Sequence, residues 1–254
     1  AVTGFSLWVD LVQPPPDSPI CLHGGCRFDQ TDAIVLSQDV TPAVASALLV
    51  EDPGNPALWC GYGEFFTASG QSDKAIAAFD RAPQLGPGLS PVLMRVANFD
   101  FTHDRDEAGL RLVPRILEQT ELFDEVLFSY ARASGIAVQR LSDSVIPATP
   151  RIARSWLGWQ LKVGTDQDVL DTWEWMRRNQ VAGEKEAAQA VSALWQRKAY
   201  RSAQQLRAEW LGTRRGDYLK PQLLTNTRFE EAPGGGPLDW DLAAIASVAY
   251  ARRD

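Results

Sequence analysis

Between Pro56 and Gly88 the large and small apolar residues recur at the spacing of a helix face. Trp59, Tyr62, Gly63 and Phe66 fall at i, i+3, i+4 and i+7, and after a break at Gly70 the residues Ala75, Phe79 and Ala82 form a second stripe of similar period. Two stripes joined by a short glycine turn predict a helical hairpin. Gly63 and Ala75 are small enough to let the two helices approach, and Pro87 stops the second one.

The pattern repeats. Steps of 34 residues take Trp59 to Leu93 and Leu127, Tyr62 to Val96 and Tyr130, and Gly63 to Ala97 and Ala131. A fixed period of this length is the mark of a stacked repeat. The set Trp59, Tyr62, Gly63, Phe66, Ala75, Phe79, Ala82 and Pro87 resembles one tetratricopeptide repeat (TPR). A second repeat, Ser90 to Glu121, is degenerate, with Gly109 in place of the small alanine, Val113 of the aromatic and Glu121 of the terminal proline. Upstream, Thr41 and Pro42 followed by Val44, Ala45, Leu48 and Leu49 read as a capped rear helix of an earlier pair. The resemblance implies a mainly α fold, a TPR-like right-handed solenoid of helical hairpins over residues 41–212.

Two prolines interrupt the rear helices. Pro83 is expected to end its helix early, whereas Pro114 is expected to kink a helix that Ile116 and Leu117 continue. From Ser134 to Pro150 the periodicity is mixed, which predicts an irregular connection or a short broken helix. Helical pairing resumes over Arg151–Val163, Asp166–Arg178, Glu184–Arg197 and Tyr200–Leu211. These helices hold Trp156, Trp159, Trp173, Trp175, Trp195 and Trp210, a set that reads as core packing rather than as a platform for stacking a ligand.

Beyond Leu223 short runs are separated by Gly and Pro, the texture of strands. Asn226, Phe229, Glu230, Asp239 and Trp240 resemble the opening of a carbohydrate-binding-like jelly roll, with Thr227 and Arg228 where glycines are usual and Leu238 where Phe is. From Asn226 to Asp254 there are 29 residues, against about 100 for a sandwich, so residues 222–254 read as the start of an incomplete one. Residues 1–40 read as an N-terminal arm. Ala1 to Val9 is either the tail of a removed signal or anchor or an ordinary apolar start. Cys21 and Cys26 bracket a loop with two glycines and are either a small disulfide or two free thiols. With His23 they fall short of metal spacing, and His103 is far away in sequence.

The charge balance, 25 Lys and Arg against 32 Asp and Glu, disfavours a nucleic-acid partner. No run of 18 apolar residues occurs, so no membrane-spanning segment is expected. No nucleophile elbow, phosphate loop, zinc-protease motif or dinucleotide fingerprint is present, and neither enzymatic activity nor a cofactor is expected. Asp166-Gln167-Asp168 reads as helix capping by Thr165 and Asp168 rather than as a metal site. The run His103-Asp104-Arg105-Asp106-Glu107 reads as a solvated loop.

In TPR proteins the fifth and ninth positions of each front helix face a concave groove. The resemblance places Cys60 and Glu64, Met94 and Asn98, and Phe128 and Arg132 there, with Phe101 beside them. Such a groove would hold a peptide by apolar anchors and a few polar contacts, unless capping segments or the N-terminal arm fill it. The basic residue that TPR clamps for acidic C-terminal peptides carry at the fifth position is replaced by Cys60, Met94 and Phe128. The order of segments, with Arg214 to Tyr218 before the strand opening, resembles TPR proteins encoded beside bacterial exopolysaccharide genes. That resemblance implies a non-catalytic scaffold for a protein partner in the envelope, periplasmic or membrane-anchored. Glycan binding by the Trp-rich helices or the C-terminal sandwich is the alternative.

Overall fold

The computed structural model describes residues 42–212. Eleven helices and no strand occur among them, in two compact units divided between Phe123 and Asp124. The arm 1–40 with Cys21, His23 and Cys26, and the strand-like segment 222–254, lie outside the described residues.

The N-terminal unit contains α1 (Pro42–Glu51), α2 (Pro56–Ala68), α3 (Ser72–Leu85), α4 (Ser90–Thr102) and α5 (Asp106–Gln119). α2 pairs with α3 and α4 with α5, while α1 packs on α2, α3 on α4, and the two leading helices α2 and α4 touch. Local chemistry fixes the start of α2: Asn55 caps it by accepting from the Ala57 amide at 3.0 Å, and Pro56 occupies the first turn. Its end is a Schellman turn. Gly70 takes φ 73°, and the Gln71 amide reaches back to the Phe66 carbonyl at 2.9 Å.

The same turn recurs 34 residues on. Asp104 takes φ 58° where Gly70 stands, and the Arg105 amide donates to the Asp100 carbonyl at 2.9 Å, matching Gln71 to Phe66. The bonds Ala75 to Gln71 and Gly86 to Ala82 likewise return as Gly109 to Arg105 and Thr120 to Ile116. The spacing seen in side chains is therefore also a period of the backbone.

Each hairpin closes on one ring-to-glycine contact, in opposite senses. In the first, Gly63 of α2 lies under the ring of Phe79 of α3; in the second, Phe101 of α4 lies over Gly109 of α5. Phe79 also stacks on Phe99 of α4 at 4.2 Å, which joins one hairpin to the next. Pro83 does not end its helix as expected, because α3 continues to Leu85 and loses only the bond that the Pro83 nitrogen cannot donate. Pro114 likewise lies within a helix that runs on to Gln119.

The C-terminal unit contains α6 (Asp124–Ala133), α7 (Val138–Ser144), α8 (Pro150–Val163), α9 (Asp166–Arg178), α10 (Glu184–Gln196) and α11 (Tyr200–Leu211). Helix α8 touches α6 and α10, and α9 touches α7 and α11, so alternate helices form two layers. The stretch from Ser134 to Pro150, expected to be an irregular connection or a short broken helix, supplies the 7-residue α7 that takes its place in the second layer. Thr149 caps α8, and a reciprocal capping box of Thr165 and Asp168 starts α9.

Tryptophans fill this core. Trp156, Trp173 and Trp175 are fully buried and Trp159 nearly so. Trp156 stacks on Trp159 at 5.5 Å, meets the edge of Phe128 at 4.8 Å and donates its indole N–H to the Ser142 hydroxyl at 2.9 Å. Trp195 and Trp210 are half-buried, at the edges of the same packing.

Candidate functional site

The leading helices carry the residues assigned to a partner groove, and their side chains divide into two kinds. Cys60, Met94 and Phe128 are fully buried. The Cys60 thiol donates to the Val92 carbonyl at 3.9 Å, across the contact between α2 and α4, and Phe128 packs on Trp156. The expected apolar anchors are thus interior residues rather than groove-facing ones. Phe101, half-buried, spends its ring on Gly109.

The polar members lie nearer the surface. Glu64 receives a two-pronged ion pair from Arg95, Nε to Oε1 and Nη2 to Oε2, both at 2.8 Å, and Arg95 Nη1 reaches the Ala57 carbonyl at 3.4 Å. This fork ties α4 to α2 with the planar geometry that only arginine offers a carboxylate. Arg95 was not singled out by sequence, although an acid and a base on successive leading helices, three residues short of one full repeat apart, were a usable signal. Asn98 is half-buried one turn after Met94, and its carbonyl accepts from the Thr102 hydroxyl at 2.7 Å.

Arg132 lies one turn after Phe128 on α6, with 38% of its side chain exposed. Its Nη2 is 3.1 Å from Asp168 Oδ2, and the same oxygen accepts from the Thr165 amide at 2.9 Å. The guanidinium is therefore anchored to the capping box of α9. Beside it Ser129, Ala133, Trp159, Val163 and Gly164 complete an open cleft of about 380 Å³. Val163 is 62% exposed, a large apolar side chain at the rim of a cleft that also offers a hydroxyl and an arginine. The arrangement suits an apolar side chain with an acidic or amide group next to it.

No group of three or more His, Cys, Asp or Glu that could hold a metal occurs among the described residues, and no helix among them is long and apolar enough to cross a membrane. Of the acidic pair at the start of α9, Asp168 serves Thr165 and Arg132, and Asp166 receives Arg197 at 3.4 Å. Comparison with known proteins finds no family model that matches the chain and no curated protein that matches it.

Proposed function

We propose that the chain is a non-catalytic helical-repeat scaffold of the TPR kind that binds a protein or peptide partner. The observation that carries this reading is the cleft on α6 and α8, where exposed Val163 and the half-exposed Arg132 converge. The 34-residue recurrence of turn geometry and hydrogen bonds supports the TPR assignment, since stacked identical hairpins are how such arrays present side chains to a partner. Arg132 is the charged residue of this cleft that addresses the partner. The envelope or exopolysaccharide setting is part of this proposal and is supported only by the resemblance in the order of segments. Carbohydrate binding through the helical tryptophans draws no support from a set whose four largest contributors to the core are Trp156, Trp159, Trp173 and Trp175. That alternative rests on the segment around Trp240.

Affinity capture from envelope extract tests the proposal. The wild-type chain, Arg132→Gln and Asn98→Ala serve as bait, with helical content compared first. Arg132→Gln should recover at least about tenfold less of the partner, since a hydrogen bond involving a charged group contributes on the order of 1.5–3 kcal/mol. Equal recovery by all three, with loss only in a Trp240→Ala chain or of bound polysaccharide, would transfer the reading to glycan.

A further inference from the structure

A second cleft, in the N-terminal unit, takes no part in the function proposed above. Helix α3 and the α4/α5 hairpin border an open cleft of about 470 Å³. Its lining is mostly polar and carries both signs of charge: Asp80, Asp100, Arg105, Arg111 and Arg115.

Asp100 and Arg105 form the built part of this cleft. The Asp100 side chain is 3% exposed, and Arg105 spans two carboxylates, with Nε 3.1 Å from Asp100 Oδ1 and Nη2 2.7 Å from Asp80 Oδ1. The Arg105 guanidinium also lies over the Phe99 ring, 5.9 Å from its centre. Even so, Arg105 Nη1 is buried without a hydrogen-bond partner, and Asp100 Oδ1, although 3.1 Å from Arg105 Nε, has no donor aligned on it. A polar atom buried in this way is costly unless something satisfies it. One is an acceptor and the other a donor, so no single ion would satisfy both.

Two more arginines stand one turn apart on α5. Arg115 holds the Pro87 carbonyl through Nη2 at 2.9 Å, and Arg111 is exposed. On the opposite wall stand Phe79, Asp80 and Pro83 of α3. Arginines on one helix and a buried carboxylate on another match a ligand that carries both charges.

We propose that this cleft binds a small zwitterion, a molecule with a carboxylate and an ammonium group close together, as in a free amino acid. Arg111 and Arg115 take the carboxylate, Asp100 takes the ammonium, and Val96 and Leu112 in the lining flank the side chain. The assignment is independent of a partner on α6 and α8 and stands or falls without it.

Isothermal titration of the full chain tests it with L-alanine, L-leucine, L-glutamate and L-arginine as zwitterions. N-acetyl-L-alanine serves as the carboxylate alone and L-alanine amide as the ammonium alone. At least one zwitterion should bind saturably, and L-alanine, if it binds, about tenfold or more tighter than either single-charge analogue. Arg111→Gln, at an exposed position, should weaken that binding about tenfold with an unchanged melting temperature. No saturable binding by any zwitterion would overturn the proposal. So would equal binding of N-acetyl-L-alanine, or wild-type affinity in Arg111→Gln.

Discussion

Gly63 and Phe79 meet so closely that a Cβ built on Gly63 would lie 2.7 Å from two carbons of the Phe79 ring. The ring is 1% exposed and stacked on Phe99, so it has nowhere to move. Gly63→Leu should therefore force α2 and α3 apart and lower stability by about 1–3 kcal/mol. Chemical denaturation measures this, and an unchanged midpoint would contradict the hairpin packing.

Gly158 provides the opposite sign. It lies inside α8 with nothing within 4 Å of an added Cβ, so nothing opposes the better helix propensity of alanine. Gly158→Ala should raise stability by roughly 0.5–1 kcal/mol. The two glycines separate a packing requirement from a mere composition effect, because the same kind of residue yields changes of opposite direction in the same assay.

The hairpins of the N-terminal unit were legible in the sequence because their information is local. The stripes of Trp59, Tyr62, Gly63 and Phe66 and of Ala75, Phe79 and Ala82 belong to single helices, and the Thr165 cap of the C-terminal unit is equally local. What the sequence did not reveal depends on the neighbouring hairpin. Cys60, Met94 and Phe128 sit on what one helix alone would count as an outer face, yet all three are buried, Cys60 against the Val92 carbonyl of α4 and Phe128 against Trp156 of α8. The run from His103 to Glu107 reads as solvated, but His103 stacks on Phe99 at 4.3 Å and Arg105 bridges Asp80 and Asp100. Both partners of Arg105 lie outside the run, one of them in the preceding hairpin.

The capping box at α9 makes a local prediction. The Thr165 hydroxyl accepts from the Asp168 amide at 3.2 Å while Asp168 returns the bond to the Thr165 amide. Thr165→Ala should cost about 1 kcal/mol, within the usual 0.5–2 kcal/mol for a lost cap. Hydrogen exchange of the first turn of α9 should rise with it. Unchanged protection there would mean that the cap does not hold the helix.

Asp100 makes a prediction about pH. Burial pushes its pKa from 3.8 up to about 6, against the pull of Arg105 and with a further push from Asp80; Arg111 and His103 oppose the rise. The folded chain thus holds this proton more tightly than the unfolded chain. The contribution of Asp100 is fully present below about pH 3.8 and is lost as pH rises towards 6. Asp100→Asn does not titrate. Between those limits the stability of the wild type should fall relative to the variant by on the order of 2–3 kcal/mol, at 1.36 kcal/mol per unit of pKa shift. Parallel pH profiles for the two proteins would rule out a raised pKa.

The central claim is that a polypeptide partner occupies the cleft bounded by Arg132 and Val163. Site-specific photo-crosslinking addresses it directly, with a benzophenone amino acid placed at Val163 and, as a control, at the exposed Ala188 of α10. In envelope extract the Val163 probe should yield a covalent adduct with a discrete polypeptide, lost when Arg132→Gln is added and absent from the Ala188 probe. A Val163 probe that captures no polypeptide, or captures the same ones as Ala188, would contradict the account.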